Sequence, residues 1–228
     1  MIKRVLTGMV LTFLFVFALS ELVVPYIVSK QIEAGLAKTY GTQDIQVTAT
    51  NRPAFMMLGG KFATVIIKGQ NIRTDKLTIS EFSAVFKNTT IDLKSLLGDR
   101  IVVFRQVGSF DGTVVLEQQE INQFMTQAVK GFKNVNVQLL PDKMKVSGDW
   151  AIGPANVAIT MDGKLRGDQT QLKYAADQVF VNSAVVTGNF GGRMFTEFVL
   201  FDTKKLPVAA VIRDVITEQG RVIIRLVK

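Results

Sequence analysis

The sequence predicts an α+β fold, in which a long, curved antiparallel sheet wraps around one or two apolar helices and follows an N-terminal membrane helix. Three observations predict this class. Residues 5–24 form an apolar run with a single charge, and short segments that alternate apolar and polar residues follow from Ile45 onward. Between these strands, a segment that starts near Ile121 repeats its apolar residues with helical spacing.

The composition excludes several function classes. The 228 residues include 27 Lys and Arg against 19 Asp and Glu, a net charge of +8, and they include neither Cys nor His. Disulfides, thiol nucleophiles, His bases and the common Cys/His zinc sites are therefore excluded, and we expect no cofactor and no metal ion. The positive charge favours anionic partners, but the basic residues are too scattered for nucleic-acid binding. We expect an anionic membrane surface and no nucleic acid; protein partners stay unknown.

The N-terminus has the pattern of an export signal or a membrane anchor. Lys3 and Arg4 precede the apolar run, and residues 18–20 form a small-x-small cleavage site before Glu21. The apolar character resumes after Glu21, so that residues 5–24 also reach the roughly 20 residues that span a bilayer. Cleavage and retention both remain open. The basic N-terminus places everything from about residue 30 outside the cytoplasm, which divides the chain into a signal or anchor at 1–28 and a single extracytoplasmic domain at 29–228.

The period of the apolar residues distinguishes the first elements. Val28, Ile32 and Leu36 recur every four residues, which predicts an amphipathic helix, either separate from the membrane segment or continuous with it. The apolar positions change parity near Ser80, which indicates a bulge and therefore a curved sheet. In this half, strands are predicted at 45–50, 62–67, 77–86, 101–104 and 110–116, with one helical turn at 94–97.

The clearest helix is predicted from the apolar residues of 121–132, which fall at helical spacing, with Glu117 and Glu120 in its first turn and Gly131 as its C-cap. The second half is otherwise rich in strands. These are predicted at 135–139, 144–148, 157–161, 172–174, 179–181, 208–216 and 221–227. A short helix is predicted within 190–201, where Met194, Phe195 and Phe198 lie at helical spacing.

Several segments in a fixed order carry a resemblance. They are GTVVL at 112–116, EINQFM at 120–125, MKVSG at 144–148, LP at 206–207 and QGRVII at 219–224. In this order they resemble the LmeA family of phospholipid-binding proteins, from about Ile32 to the C-terminus. The resemblance implies a fold related to the tubular lipid-binding domains of the BPI and SMP groups, with an apolar tunnel for acyl chains. It implies a phospholipid or other acyl-lipid partner and no catalytic residues. Gln219 departs from the family pattern, in which an Asp is usual.

Clusters of Phe and Met are the candidate lipid-binding residues, because flexible thioethers and flat rings suit a wall around disordered alkyl chains. Taken one at a time, such residues more often fill a protein core. The candidates are Phe55, Met56, Met57, Phe62, Phe82, Phe86, Phe124, Met125, Met194, Phe195 and Phe198.

The sequence FMML at 55–58, which we call the apolar loop, is distinguished by its flanks. Arg52 precedes it and Lys61 follows it, so that we expect these two residues to form a basic rim. Apolar residues between cations are typical of a segment that enters an anionic membrane surface. A loop that gates a cavity, or a turn that packs onto the core, would show the same pattern.

Three functions fit these observations. The favoured one is an extracytoplasmic phospholipid-binding protein that holds acyl chains in an apolar tunnel and supports envelope lipid or lipoglycan metabolism or transport. The second is an anchored scaffolding protein with a filled core. The third is an envelope enzyme that acts through carboxylates, for which the sequence nominates no residue pair.

Overall fold

The computed structural model describes residues 2–74, 77–128, 132–152, 155–185, 197–206 and 208–228. Its fold class is α+β, as the sequence predicts. The helices are α1 (Ile2–Tyr40), α2 (Leu93–Asp99) and α3 (Gln118–Ala128). The strands are β1 (Ile45–Thr50), β2 (Lys61–Arg73), β3 (Thr78–Ile91), β4 (Phe104–Glu117), β5 (Phe132–Leu140), β6 (Lys143–Ile152), β7 (Ala155–Asp168), β8 (Gln171–Val181), β9 (Ala184–Val185), β10 (Glu197–Asp202), β11 (Val211–Glu218) and β12 (Arg221–Val227).

The strands form two sheets. The first has the order β1-β2-β3-β4-β12-β11, and the second has the order β10-β8-β7-β6-β5, with β9 paired to β8. Each strand pair whose register is known is antiparallel, and four of those pairs contain a register shift. Such shifts bend and twist strands, as the predicted curved sheet requires.

The chain divides into two compact units. The first unit comprises Met1–Lys68 and Ala84–Phe110, and the second unit comprises Gly69–Ser83 and Asp111–Lys228. Strands β2, β3 and β4 each contribute residues to both units. The single extracytoplasmic domain at 29–228 therefore stays a prediction.

Helix α1 organises the first unit. Val28, Ile32 and Leu36 are buried, which confirms the amphipathic helix, and this helix is continuous with the apolar N-terminal segment. Residues 4–19 are exposed along the same helix. Strand β1 runs beside the buried part of α1, where the Ala49 N–H donates a hydrogen bond of 2.9 Å to Ser29 Oγ.

The remainder of the first unit has an aromatic centre. The ring centroid of Phe86 on β3 lies 4.7 Å from that of Phe104 and 5.0 Å from that of Phe110, both on β4.

On β3, Ile79 and Ser80 are both buried before the buried positions continue on the opposite parity. The predicted change of parity near Ser80 is therefore confirmed.

Helix α3 belongs to the second unit and covers β5. Its apolar face is buried, as predicted, and two of its polar side chains bind the strand backbone. Asn122 Oδ1 accepts from the Val137 N–H at 3.0 Å, and Gln118 Oε1 accepts from the Leu139 N–H at 2.8 Å. The helix begins at Gln118, within the first turn that the sequence predicts, and it ends before Phe132, which was predicted on its apolar face and instead opens β5. The predicted cap Gly131 lies outside the described residues.

The short helix predicted within 190–201 is wrong in its described part, because Glu197–Asp202 form strand β10. Phe198 is paired with Tyr174 on β8. The register shifts between Val199 and Phe201, so that Leu200 and Phe201 are both buried. This bulge interrupts the strict alternation of a strand and leaves an apolar spacing that resembles that of a helix. Met194 and Phe195 lie outside the described residues.

The register shift in the β7–β8 pair generates a prediction about Gly163. A Cβ atom at this position would overlap the carbonyl oxygen of Ala175, which lies on the neighbouring strand. We expect Gly163→Ala to lower the free energy of unfolding by about 1–3 kcal/mol, because strand backbone cannot yield as a flexible side chain does. Thermal unfolding of the full chain in detergent, followed by circular dichroism, measures the effect.

Gly98→Ala is the matched control, because nothing lies within 4 Å of a Cβ atom at Gly98 in α2. This variant should unfold at the wild-type temperature or slightly above it, since Ala favours helix over Gly. Equal unfolding temperatures for the two variants would contradict the close approach of the strands.

Candidate functional site

The predicted lipid-binding residues are divided between the two units. Those in the first unit are Phe55, Met56, Met57, Phe62 and Phe86. Those in the second unit are Phe82, Phe124, Met125 and Phe198, while Met194 and Phe195 lie outside the described part of the chain. Neither unit by itself therefore contains the whole candidate set.

These residues also differ in exposure. Met57, Phe62, Phe86, Phe124 and Met125 are buried. Phe82 and Phe198 are half-buried, and Phe55 and Met56 are exposed. The buried group contributes to the apolar cores of the two units, and the exposed group belongs entirely to the apolar loop.

The apolar loop lies within a 3₁₀ helix at Ala54–Gly59. Met57 points into the first unit and is fully buried. The neighbouring side chains point outward, with exposed fractions of 51% for Phe55, 38% for Met56 and 64% for Leu58. One buried methionine thus fixes a turn that presents three large apolar side chains to its surroundings.

The apolar loop contacts helix α1. The ring centroids of Phe55 and Phe17 are 6.4 Å apart, and the Ala54 N–H donates a hydrogen bond of 2.7 Å to Glu21 Oε1. Phe17 and Glu21 are separated by one helical turn and therefore face the same side of α1. Sequence reasoning missed both residues as partners of the loop, because their spacing becomes informative only when the loop folds back onto α1.

The predicted basic rim lies on both sides of this turn. Arg52 and Lys61 are exposed. Asn51 closes the base of the loop, since its Nδ2 donates to the Lys61 carbonyl oxygen at 2.8 Å. Within the described ranges, neither Arg52 nor Lys61 forms an ion pair, so both cationic groups face solvent.

A cavity of about 180 Å³ lies beside α3 in the second unit. Its lining residues are Arg73, Thr74, Leu77, Thr78, Glu120, Gln123, Phe124 and Gln127. Of these, Leu77 and Phe124 provide buried apolar surface, while Arg73 and Glu120 provide opposite charges. Glu120 Oε2 is a buried oxygen without a hydrogen-bond partner in the described structure.

This lining is amphiphilic. A guanidinium group binds phosphate through paired hydrogen bonds, and a carboxylate attracts an ammonium group. Of the lining residues, Phe124 alone is among the candidates predicted from the sequence. A polar stripe formed by Glu120, Gln123 and Gln127, beside the apolar face of α3, is the signal that marks the lining residues of this helix, and no sequence signal marks the four lining residues at 73–78. Within the described ranges, no group of three or more acidic side chains is arranged to hold a metal ion.

Phe198 covers a buried tyrosine in the second unit. Its ring centroid lies 6.2 Å from that of Tyr174 in a stacked arrangement. The Tyr174 hydroxyl donates a hydrogen bond of 3.0 Å to the Met161 carbonyl oxygen. Burial raises the pKa of Tyr174 above its ordinary value, and the nearby carboxylates of Asp162 and Asp177 raise it further.

One comparison with known proteins gives a match. A family model described as LmeA-like phospholipid-binding matches residues 19–227. No curated protein and no solved structure matches the chain. The matched range contains the apolar loop and all the residues that line the cavity.

The raised pKa of Tyr174 predicts a loss of stability in alkali. The folded chain keeps this proton at pH values where the unfolded chain releases it, so that the contribution to stability is present below about pH 10 and is lost above it. We expect the free energy of unfolding to fall by up to about 1.4 kcal/mol per pH unit above that point from this group alone. Urea unfolding of the full chain at a series of alkaline pH values measures the slope.

Tyr174→Phe should reduce that slope, while it costs about 1 kcal/mol at neutral pH through the lost hydrogen bond. Tyr26→Phe, which removes the hydroxyl of a residue that is 67% exposed, is the control variant. Identical slopes in wild type and Tyr174→Phe would contradict the assignment.

Proposed function

The chain belongs to the LmeA-like phospholipid-binding family, and from this premise we propose that it is an anchored phospholipid carrier on the extracytoplasmic side of the cytoplasmic membrane. In this proposal its body takes up acyl chains in an apolar interior and supports envelope lipid or lipoglycan metabolism or transport. The proposal assigns no catalytic step to the chain.

The observation that carries this proposal is the continuity of α1. The helix contains an exposed apolar segment long enough to cross a membrane, with a mean hydropathy of 2.2. The same helix continues without a break to Val28, Ile32 and Leu36, which are buried in the first unit. A span with no flexible linker holds the first unit against the membrane surface, where phospholipid is available.

The orientation follows from charge. Lys3 and Arg4 precede the apolar run, and basic residues at the end of a span remain on the cytoplasmic side. The folded body follows the span and lies on the opposite side. Retention of the span, rather than cleavage after Ser20, is part of the proposal, because Phe17 precedes that cleavage position and packs against Phe55 of the apolar loop.

The cavity beside α3 is the proposed entry for lipid into the second unit. Its charged rim suits a phospholipid head group, and Phe124 and Leu77 offer an apolar surface to the first carbons of an acyl chain. At about 180 Å³ the cavity is smaller than the roughly 300–1,000 Å³ of typical ligand pockets. Uptake of a whole lipid therefore requires α3 and its neighbours to move apart.

A filled core is the second candidate, and the cluster of Phe86, Phe104 and Phe110 favours it. Phe86 and Phe110 are buried, and Phe104 is half-buried against Phe86, so that protein side chains fill this part of the first unit. In this case the chain would be an anchored scaffold, and its family membership would reflect surface contact with phospholipid rather than an internal site.

Native mass spectrometry distinguishes the two candidates. We expect the full chain, released from bacterial membranes in mild detergent, to retain a bound phospholipid, because each buried CH₂ contributes about 0.8 kcal/mol. Gln123→Trp should lower this occupancy several-fold, since the indole would fill the cavity. Thr126→Trp is the control, because Thr126 is an exposed residue of α3 that does not line the cavity.

Two results would contradict parts of the carrier proposal. Delipidated, folded protein that takes up no fluorescent phospholipid would contradict the carrier and favour the scaffold. Equal occupancy in wild type and Gln123→Trp, with lipid bound in both, would show that lipid enters elsewhere.

A further inference from the structure

We infer that the apolar loop is inserted into the bilayer leaflet that faces the first unit. The first unit then contacts the bilayer at two adjacent points, the span of α1 and the apolar loop. The occupant of the exposed surface formed by Phe55, Met56 and Leu58 is then the lipid bilayer itself. The inference rests on the proposed retention of α1 as an anchor and adds a second membrane contact to it.

The apolar loop is continuous with the membrane span. Phe55 contacts Phe17, which belongs to the exposed apolar part of α1. Phe17 is 39% exposed, whereas Phe13 and Phe15 are 70% and 65% exposed. When α1 lies in a bilayer, lipid surrounds Phe17, and a ring in contact with it shares that environment.

The depth of the apolar loop along the axis of α1 also supports its insertion. Phe17 precedes Glu21 by four residues, which at 1.5 Å per residue places it about 6 Å deeper along the helix axis. Interfacial apolar segments are buried about 5–10 Å into the boundary between head groups and acyl chains. The loop therefore reaches the depth at which such segments stop, with the carboxylate of Glu21 marking the outer edge.

The positive charges beside the apolar loop favour insertion as well. Arg52 and Lys61 flank the loop, are exposed, and form no ion pair in the described part of the chain. Cations beside a shallow apolar wedge lie at the level of the phosphates and favour an anionic leaflet. The hydrogen bond from the Ala54 N–H to Glu21 holds the loop in this position, since it ties the turn to the helix.

The first unit contains a second exposed apolar site that serves as a reference. Leu97 in α2 is 63% exposed, almost the same as Leu58. The C-terminal end of α2 lies beside Lys38, whose Nζ donates to the Asp99 carbonyl oxygen at 3.2 Å. Lys38 follows Glu21 by 17 residues, which is about 25 Å along the helix. Leu58 and Leu97 are therefore equally exposed, but Leu97 lies much farther from the proposed membrane surface.

The test uses tryptophan as a depth probe. The chain contains a single Trp, Trp150, so that Trp150→Phe provides a background without indole fluorescence. In this background, Phe55→Trp, Leu58→Trp and Leu97→Trp are reconstituted as full chains into vesicles of phosphatidylcholine and phosphatidylglycerol. Phosphatidylcholine brominated near the carbonyl end of its acyl chains then quenches any indole at the depth of the loop.

We expect Phe55→Trp and Leu58→Trp to show blue-shifted emission and quenching several-fold stronger than that of Leu97→Trp. The use of two loop positions guards against misfolding of either variant. Weak and equal quenching at all three positions, in chains that sediment with the vesicles, would overturn the inference and leave the anchor intact. Chains that do not sediment with the vesicles would overturn the anchor proposal and this inference together.

Discussion

The structure depends on the continuity of helix α1, in which an exposed apolar segment and a buried apolar stripe belong to one helix. Its first part exposes apolar side chains on every face, and its last part buries only one stripe, formed by Val28, Ile32 and Leu36. A helix cannot rotate one half against the other without breaking its hydrogen bonds. The buried stripe therefore fixes the rotation of the first unit around the axis of α1. The length of the exposed part fixes the position of the first unit along that axis.

The apolar loop depends on that arrangement. A turn with three exposed apolar side chains is unfavourable in water, at about 25 cal/mol per Å² of apolar surface. Its position beside Phe17 and Glu21 removes this cost when the helix is in lipid. The second unit differs, because α3 both covers apolar strand surface and borders a cavity. It does so with Gln118 and Asn122, which bind the β5 backbone, while Glu120 and Gln123 border the cavity.

Periodicity predicted elements wherever one face of a segment is buried and the other is solvated. Strand β1 shows a strict alternation, and Ile45, Val47 and Ala49 are buried as expected. Periodicity failed at β10, because a bulge shifts the buried positions and four apolar residues are too few to separate two periods. Predicted strands were also too short: β2 extends to Arg73, since its polar end pairs by backbone hydrogen bonds that leave no trace in side-chain pattern.

The sequence by itself determined the α+β class, the apolar N-terminal segment, the parity change near Ser80 and the resemblance to a phospholipid-binding family. These follow from hydropathy, period and local order along the chain, which are one-dimensional properties. Only the tertiary structure decided which Phe and Met side chains are buried and which are exposed, and that Arg73, Glu120 and Phe124 line one cavity. It also decided that the loop returns to Phe17, because contacts between residues distant in sequence depend on the packing of whole elements.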